Sequence, residues 1–289
     1  MALQAPRILV TGTGITGGEV LRQLAQAGIN PRALVRDPAK AEPFARLGVE
    51  LVEVDFARPE SWDRALADVD KVFAITPQHP DAEAWFGIFM DAAKRSHVDQ
   101  VVKLSGWRVS PTSQANVHRQ MSRSDRALET SGLGYTILRP NVFFQNMFLM
   151  VGPIRAQGRF QSAAGDARIS MIDVRDIAAV AIKVLTEDDH LGKIYDLSGP
   201  EALSYSDVAR LLSEAVGRTV EYVALDEESA VNGQLALGIP EKTARARVEV
   251  HRSFSNGVFT PTSTTVEAIL GRAPRPFAQF ARDFVGRFR

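Results

Sequence analysis

Short apolar runs alternate with amphipathic stretches over the first half of the chain, and this alternation predicts the fold. Residues 7–11 (RILVT) predict a strand, and residues 15–27, apolar at Val20, Leu21, Leu24 and Ala25, predict a helix. The pattern then repeats as strand 32–35, helix 38–47 closed by Gly48, strand 49–54, a helix around 61–66, and strand 72–75. It continues as helix 81–96, strand 101–104, helix 113–131 closed by Gly132, and strand 134–138. Successive strand–helix units need crossover connections. The expected fold class is therefore α/β, a doubly wound parallel sheet covered on both faces, with right-handed crossovers.

After Pro140 the pattern changes. Phe143, Phe144, Met147, Phe148, Leu149 and Met150 crowd together, too densely for a surface helix with one buried stripe. The segment predicts core packing, a helix buried between the sheet and a second lobe, or a pocket wall. Helix 174–185 and strand 193–197 return to the sheet. Ser204 or Ser206 is the candidate cap of a helix over 208–216 closed by Gly217, a short strand follows at 219–224, and further helices end with 277–288. The expected organisation is a first domain over 1–150, rejoined by 173–198, and a smaller, discontinuous, substrate-binding α/β lobe over 151–289.

The turn after the first strand carries the first chemistry. Gly12, Gly14 and Gly17 have the G-x-G-x-x-G spacing of a dinucleotide fold, placed after a strand and before a helix. Gly12 permits the tight turn, Gly14 lets a pyrophosphate approach the backbone, and Gly17 lets helix and strand pack closely. Backbone amides across Gly12, Thr13, Gly14, Ile15, Thr16 and Gly17, with the positive end of the helix dipole, then face the phosphates. The alternative is a glycine-rich turn in an α/β domain that binds no nucleotide.

The end of the second strand selects the dinucleotide. An acid there favours NAD, whereas a base accommodates a 2′-phosphate. Arg36 offers a planar fork and Lys40 a point charge one helical turn on, so NADP(H) is preferred over NAD(H). The competing assignment makes Asp37 the ribose acid and leaves Arg36 in solvent. Asp55 and Phe56 end the third strand and can flank the adenine, Asp55 alternatively serving as a helix cap. Thr76, Pro77 and Gln78 lie where the middle of the cofactor passes. Ser105, Gly106 and Trp107 follow the fifth strand, at the expected nicotinamide mouth. There Ser105 meets cofactor or substrate, or only caps the turn. Pro140 and Asn141 adjoin the cofactor. Asn146, Trp107, Phe143 and Phe144 are the candidate substrate contacts, with Trp85 a further aromatic. For Asn141 and Asn146 local backbone contacts are the alternative.

Composition narrows the partners. The chain has 289 residues, 34 basic and 34 acidic, and no cysteine. Zero net charge argues against nucleic acid or an anionic membrane as the main partner, and the missing cysteines exclude disulfides, thiolate nucleophiles and Cys-based metal centres. His79, His97, His190 and His251 show no metal-ligand spacing, so no metal is expected. No apolar run is as long as a membrane span and the first residues lack a signal-peptide pattern. The expectation is a cytoplasmic monomer or homodimer acting on a small molecule.

With these residues in hand, the chain resembles the NmrA-like branch of the atypical short-chain dehydrogenases, and within it the type-2 quinone oxidoreductase and triphenylmethane reductase group. The resemblance spans nearly the whole chain. It rests on the glycine turn, on residues 35–38 (VRDP), 54–56 (VDF), 135–146 (YTILRPNVFFQN), 172–178 (IDVRDIA) and 195–200 (YDLSGP). Two departures stand out. The family turn usually holds one more residue between its first two glycines. The Tyr-x-x-x-Lys pair of ordinary short-chain dehydrogenases is missing: alignment places its slots at Met121 and Asp125. The atypical branch often has a histidine in the first slot, and here His118 lies one turn earlier, a proton donor if not simply a helix-surface histidine.

The resemblance implies an NAD(P)H-dependent reductase. Without the Tyr–Lys pair, reduction suits a strong, conjugated electrophile such as a quinone or a dye, whose reduced product is stabilised without prompt protonation. Aromatic side chains near the mouth suit a flat acceptor. The same family includes dinucleotide-sensing regulators with little or no turnover, which is the alternative.

Overall fold

The apolar runs become strands and the amphipathic stretches helices, in the order the pattern requires. The computed structural model describes residues 6–77 and 79–289, leaving the side chains of Pro38 and Lys40 outside the description. Along the chain come β1 (Ile8–Val10), α1 (Ile15–Gln26), β2 (Arg32–Val35), α2 (Pro38–Ala45), β3 (Glu50–Glu53) and α3 (Pro59–Ala65). Next are β4 (Lys71–Ile75), α4 (Ala82–Arg95), β5 (Gln100–Leu104), α5 (Asn116–Glu129) and β6 (Tyr135–Pro140). A 3-10 stretch (Phe144–Met150) leads to α6 (Val151–Gln157), β7 (Arg159–Ser162), α7 (Val174–Thr186), β8 (Lys193–Leu197), α8 (Tyr205–Val216) and β9 (Glu221–Ala224). The chain closes with α9 (Glu227–Ala236), α10 (Glu241–Ser253), α11 (Thr265–Leu270), α12 (Phe277–Asp283) and α13 (Val285–Phe288).

Among the described residues, seven strands form one sheet in the order β3-β2-β1-β4-β5-β6-β8. Every pairing from β3 through to β6 is parallel. The chain builds outward from β1 in one direction, returns to β4 on its other side, and builds outward again. The turn after β1 thus stands at the topological switch point, where sheets of this kind bind ligands. Central strands are buried along their length, and one core runs from Leu9 and Leu34 through Trp62 and Phe89 to Val101 and Ile137. Helix α1 packs on α7, where Gln23 Nε2 donates to the Arg175 carbonyl at 3.1 Å.

The chain divides into two compact units. The first holds residues up to Pro111, Gln120–Pro140 and Val174–Asp196; the second holds Thr112–Arg119, Asn141–Asp173 and Leu197–Arg289. The break after β6 falls at residue 140, not the expected 150. Asn141 explains it: its amide donates to Ser170 Oγ at 2.8 Å and to the Phe259 carbonyl at 2.9 Å, committing the chain to the second unit at once.

Within the second unit the apolar run after Pro140 forms an aromatic core. Phe144 meets Phe277 edge-on at 5.0 Å, and Phe148 packs against Phe280 and Phe284 at 5.5 and 5.3 Å. The expected closing helix over 277–288 is broken at Phe284. Strand β7, which pairs in parallel with β9, was not expected from the pattern. Its buried positions alternate, but four residues after the left-handed Gly158 give little period to read. No helix among the described residues is long and apolar enough to cross a membrane.

Candidate functional site

The three glycines of the first turn differ in why they are glycine. A Cβ at Gly17 would lie 1.9 Å from the Gly12 carbonyl oxygen, so α1 touches the strand end only because that side chain is absent. A Cβ at Gly12 or Gly14 would meet no protein atom within 4 Å. Neither has a positive φ, so backbone strain does not demand glycine either. Gly14 is the N-cap of α1 and supplies no side-chain cap, and no acid sits in the first turn. The helix therefore presents uncapped amides and an uncompensated dipole over an open glycine surface. Thr13 is half-buried, Thr16 buried, and Ile15 is 52% exposed, an apolar side chain standing free beside the turn. Thr11 fixes the turn: its Oγ1 donates to the Ile75 carbonyl at 3.0 Å and accepts from the Ile75 amide at 2.7 Å.

At the end of β2, Asp37 caps α2, its carboxylate accepting from the Ala39 amide at 3.1 Å. Arg36 is exposed, and among the described residues its guanidinium has no ion pair or hydrogen bond. The Lys40 side chain and all of Gln78 lie outside the described residues. Asp55, expected to face adenine or cap a helix, is occupied locally. It accepts from the Ala57 amide at 3.0 Å and faces Arg58 at 3.4 Å, while Arg58 takes the N-cap position of α3. Phe56 meets Trp62 edge-on at 5.3 Å and Trp85 at 6.0 Å. These rings, with Phe86, Phe89 and Thr76, line a narrow crevice that Thr11 and Pro77 also border. Thr76 Oγ1 is buried there with no hydrogen-bond partner. Trp85 belongs to this crevice and stacks on His79 at 4.2 Å.

Beyond β5 the structure reveals a buried charge cluster that the sequence reading missed. Asp125 on α5 is fully buried. Its Oδ1 accepts from Lys103 Nζ at 2.8 Å, and its Oδ2 from Ser105 Oγ at 2.9 Å and from Arg139 Nε and Nη2 at 2.9 and 2.8 Å. Burial lowers the Lys103 pKa, and the Asp125 carboxylate opposes that effect. Arg139 also faces Asp196, whose pKa is raised by burial against the pull of Arg139 and Arg108. The one available signal was alternation: Lys103 interrupts an apolar strand that ought to be buried on both faces. Gly106 packs closely, a Cβ there lying 3.0 Å from Met121 Sδ. Trp107 is only 3% exposed, with Arg108 stacked at 5.2 Å, so it offers no open face for stacking a substrate.

The remaining candidates differ in what they leave open to a ligand. Pro140 is buried at the end of β6. The Asn141 amide is spent on Ser170 and Phe259, and its Oδ1 accepts from the Val142 amide at 2.8 Å. Phe144 is 1% exposed in the aromatic core and forms no pocket wall. Phe143 is half-buried and Asn146 exposed, so both retain surface for a ligand. His118 lies 5.8 Å from the Phe259 ring, and burial lowers its pKa, with Glu249 opposing. At neutral pH it is therefore less protonated than a free histidine and a weaker acid source than its type implies. No group of three or more metal-ligating side chains occurs among the described residues.

A glycine turn open to solvent at the switch point, with an exposed arginine at the next strand end, is the arrangement expected of a dinucleotide-binding protein. Comparison with known proteins agrees. A family model described as NAD(P)H-binding matches residues 12–188. The chain is 36% identical to the NAD(P)H azoreductase of Xenophilus azovorans, over 97% of this chain and 98% of that one. Among solved structures, the Escherichia coli NADPH-dependent quinone oxidoreductase complexed with NADPH superposes with a TM-score of 0.86 at 26% identity, covering 96% of this chain and 99% of that chain. The Citrobacter sp. triphenylmethane reductase complexed with NADP(H) gives 0.85 at 25% identity, with the same coverage of both chains. The chain belongs to the NmrA-like atypical short-chain dehydrogenase/reductase family, whose members here are NAD(P)H-dependent oxidoreductases.

Proposed function

We propose that this chain is an NADPH-dependent reductase that delivers hydride to a flat, conjugated acceptor such as a quinone or a dye, without a Tyr–Lys pair. The observation that carries the reading is the contrast among the turn glycines. Gly17 is required by the chain's own packing, whereas Gly12 and Gly14 bound open space beneath uncapped helix amides. A diphosphate fits that cradle: the amides donate to its oxygens and the dipole favours its charge. Thr76 Oγ1, buried beside the turn without a partner, is a polar group left for a ligand.

Arg36 supports NADPH over NADH. Its fork is free, while Asp37, the rival ribose acid, is spent on capping α2. Lys40 and Gln78 remain candidates on sequence grounds, as do Pro140, Gly106 and the amides from Gly12 to Gly17. Phe143 and Asn146 are the candidate substrate contacts that keep exposed surface.

The bound nicotinamide supplies the hydride. The chain holds it, orients it and limits access of water. None of the four tyrosines lies on α5, where Met121 and Asp125 stand instead. Nor does the chain offer an obvious proton source: Ser105 donates to Asp125 and His118 is shifted toward neutrality. This supports an acceptor whose reduced form tolerates late protonation from water, and relatives of the chain are named as azoreductase, quinone oxidoreductase and triphenylmethane reductase.

The test is NADPH oxidation by a panel of quinones and dyes, followed spectrophotometrically. Turnover with several flat acceptors and little with simple aldehydes is expected; no oxidation by any acceptor overturns the reading. Arg36→Ala should lower the preference for NADPH over NADH by about tenfold, the worth of one charge-assisted hydrogen bond.

A further inference from the structure

The cluster beyond β5 also dictates the polarity of Ser105. A carboxylate offers roughly four lone-pair sites, and Asp125 accepts four hydrogen bonds, one at Oδ1 from Lys103 and three at Oδ2 from Ser105 and two nitrogens of Arg139. Held from both oxygens and fully buried, the carboxylate has one orientation. A serine hydroxyl has one proton and two lone pairs. The Ser105 proton is committed to Asp125, and its backbone amide donates to the Leu138 carbonyl at 2.8 Å. Among the described residues no donor approaches Ser105 Oγ. The residue as a whole is 5% exposed. It stands directly after β5, beyond the carboxyl end of a strand, where ligands of such sheets lie.

We propose that Asp125 is a positioning residue that makes Ser105 an obligate hydrogen-bond acceptor, so that Ser105 reads an N–H or O–H donor on the bound ligand. Two sources offer that chemistry: the carboxamide N–H of the nicotinamide and a hydroxyl on the acceptor. The inference rests on the reading above, in which the nicotinamide reaches the end of β5. It assigns Ser105 to recognition rather than proton delivery, because its only proton faces away from the site. Asp125 stands in the slot of the missing lysine and reaches the ligand only through Ser105.

A binding comparison tests it without turnover. NADPH and its reduced acetylpyridine analogue, in which a methyl group replaces the carboxamide nitrogen, are titrated by fluorescence into the wild-type protein, Ser105→Ala and Ser105→Thr. The wild type should bind NADPH about tenfold more tightly than the analogue, as expected for one hydrogen bond. Ser105→Ala should bind the two equally, and Ser105→Thr should keep the difference. Asp125→Asn should lose it too, since its amide can donate to Ser105 and release the hydroxyl proton. If that variant does not fold, the two Ser105 variants decide the question.

A second arm compares the KM of a hydroxylated quinone with that of its methoxy counterpart. If Ser105→Ala abolishes that preference and leaves coenzyme discrimination intact, the donor is on the acceptor. Discrimination unaffected by Ser105→Ala in both arms overturns the inference, since a serine that merely ties β5 to α5 would give that result. If NADPH does not bind the wild type at all, the functional reading itself fails. Tight binding with no dependence on Ser105 defeats only the present inference.

Discussion

Gly17 and Gly12 lie five residues apart in one motif and answer to different masters. A side chain at 17 collides with backbone, which cannot yield as a flexible side chain would. Gly17→Ala should therefore destabilise the fold by about 3 kcal/mol or more, the upper range for overpacking. Gly12→Ala should leave stability within about 0.5 kcal/mol, as at an unremarkable surface position, yet weaken NADPH binding. Thermal melts paired with NADPH titrations separate the two; equal loss of stability in both variants would contradict the distinction. Residue types announced the motif, but only the path of the backbone shows which glycine serves the chain and which is left for a ligand.

At the scale of elements, end signals were legible where they are local. Ser204 caps α8 through a capping box with Asp207: Ser204 Oγ accepts from the Asp207 amide at 3.1 Å, and Asp207 accepts from the Ser204 amide at 3.0 Å. Ser204→Ala should cost about 1 kcal/mol, measured by urea unfolding, and Ser206→Ala almost nothing. The tie among β5, α5 and β6 was not legible. Lys103, Asp125 and Arg139 are far apart in sequence and share no motif spacing, so only the parallel register that aligns Lys103 with Ile137 brings their elements together. An unpaired carboxylate would be costly to bury, and the four hydrogen bonds that Asp125 accepts make this one tolerable. Trp107 and Phe144 err in the opposite sense: aromatic type suggested a stacking surface, and burial removed it.

For the whole molecule, acid stability should reflect two half-buried histidines of the second unit. Burial lowers the pKa of both His118 and His251. As pH falls through about 6.5, the unfolded chain takes up protons that the folded chain resists. Stability is therefore full above that value and declines below it, until the folded histidines also charge. Urea midpoints near about pH 7.5 and about pH 5.5 check the sign, and His251→Asn should flatten the decline; an unchanged slope in the variant would remove histidine burial as its cause.

The sequence by itself determined the alternation, the parallel sheet, the switch-point turn and the family, because these follow from short-range periodicity and from spacings within a few residues. It also located Arg36 at the end of the second strand, where the structure leaves it exposed. The tertiary structure alone decided that Asn141 is spent on Ser170 and Phe259, that His118 is pushed toward its neutral form, and that Ser105 faces Asp125 with its only proton. Each of those outcomes depends on burial and on partners distant in the chain. Desolvation and hydrogen-bond satisfaction are properties of the packed neighbourhood, and residue order along a strand does not specify them.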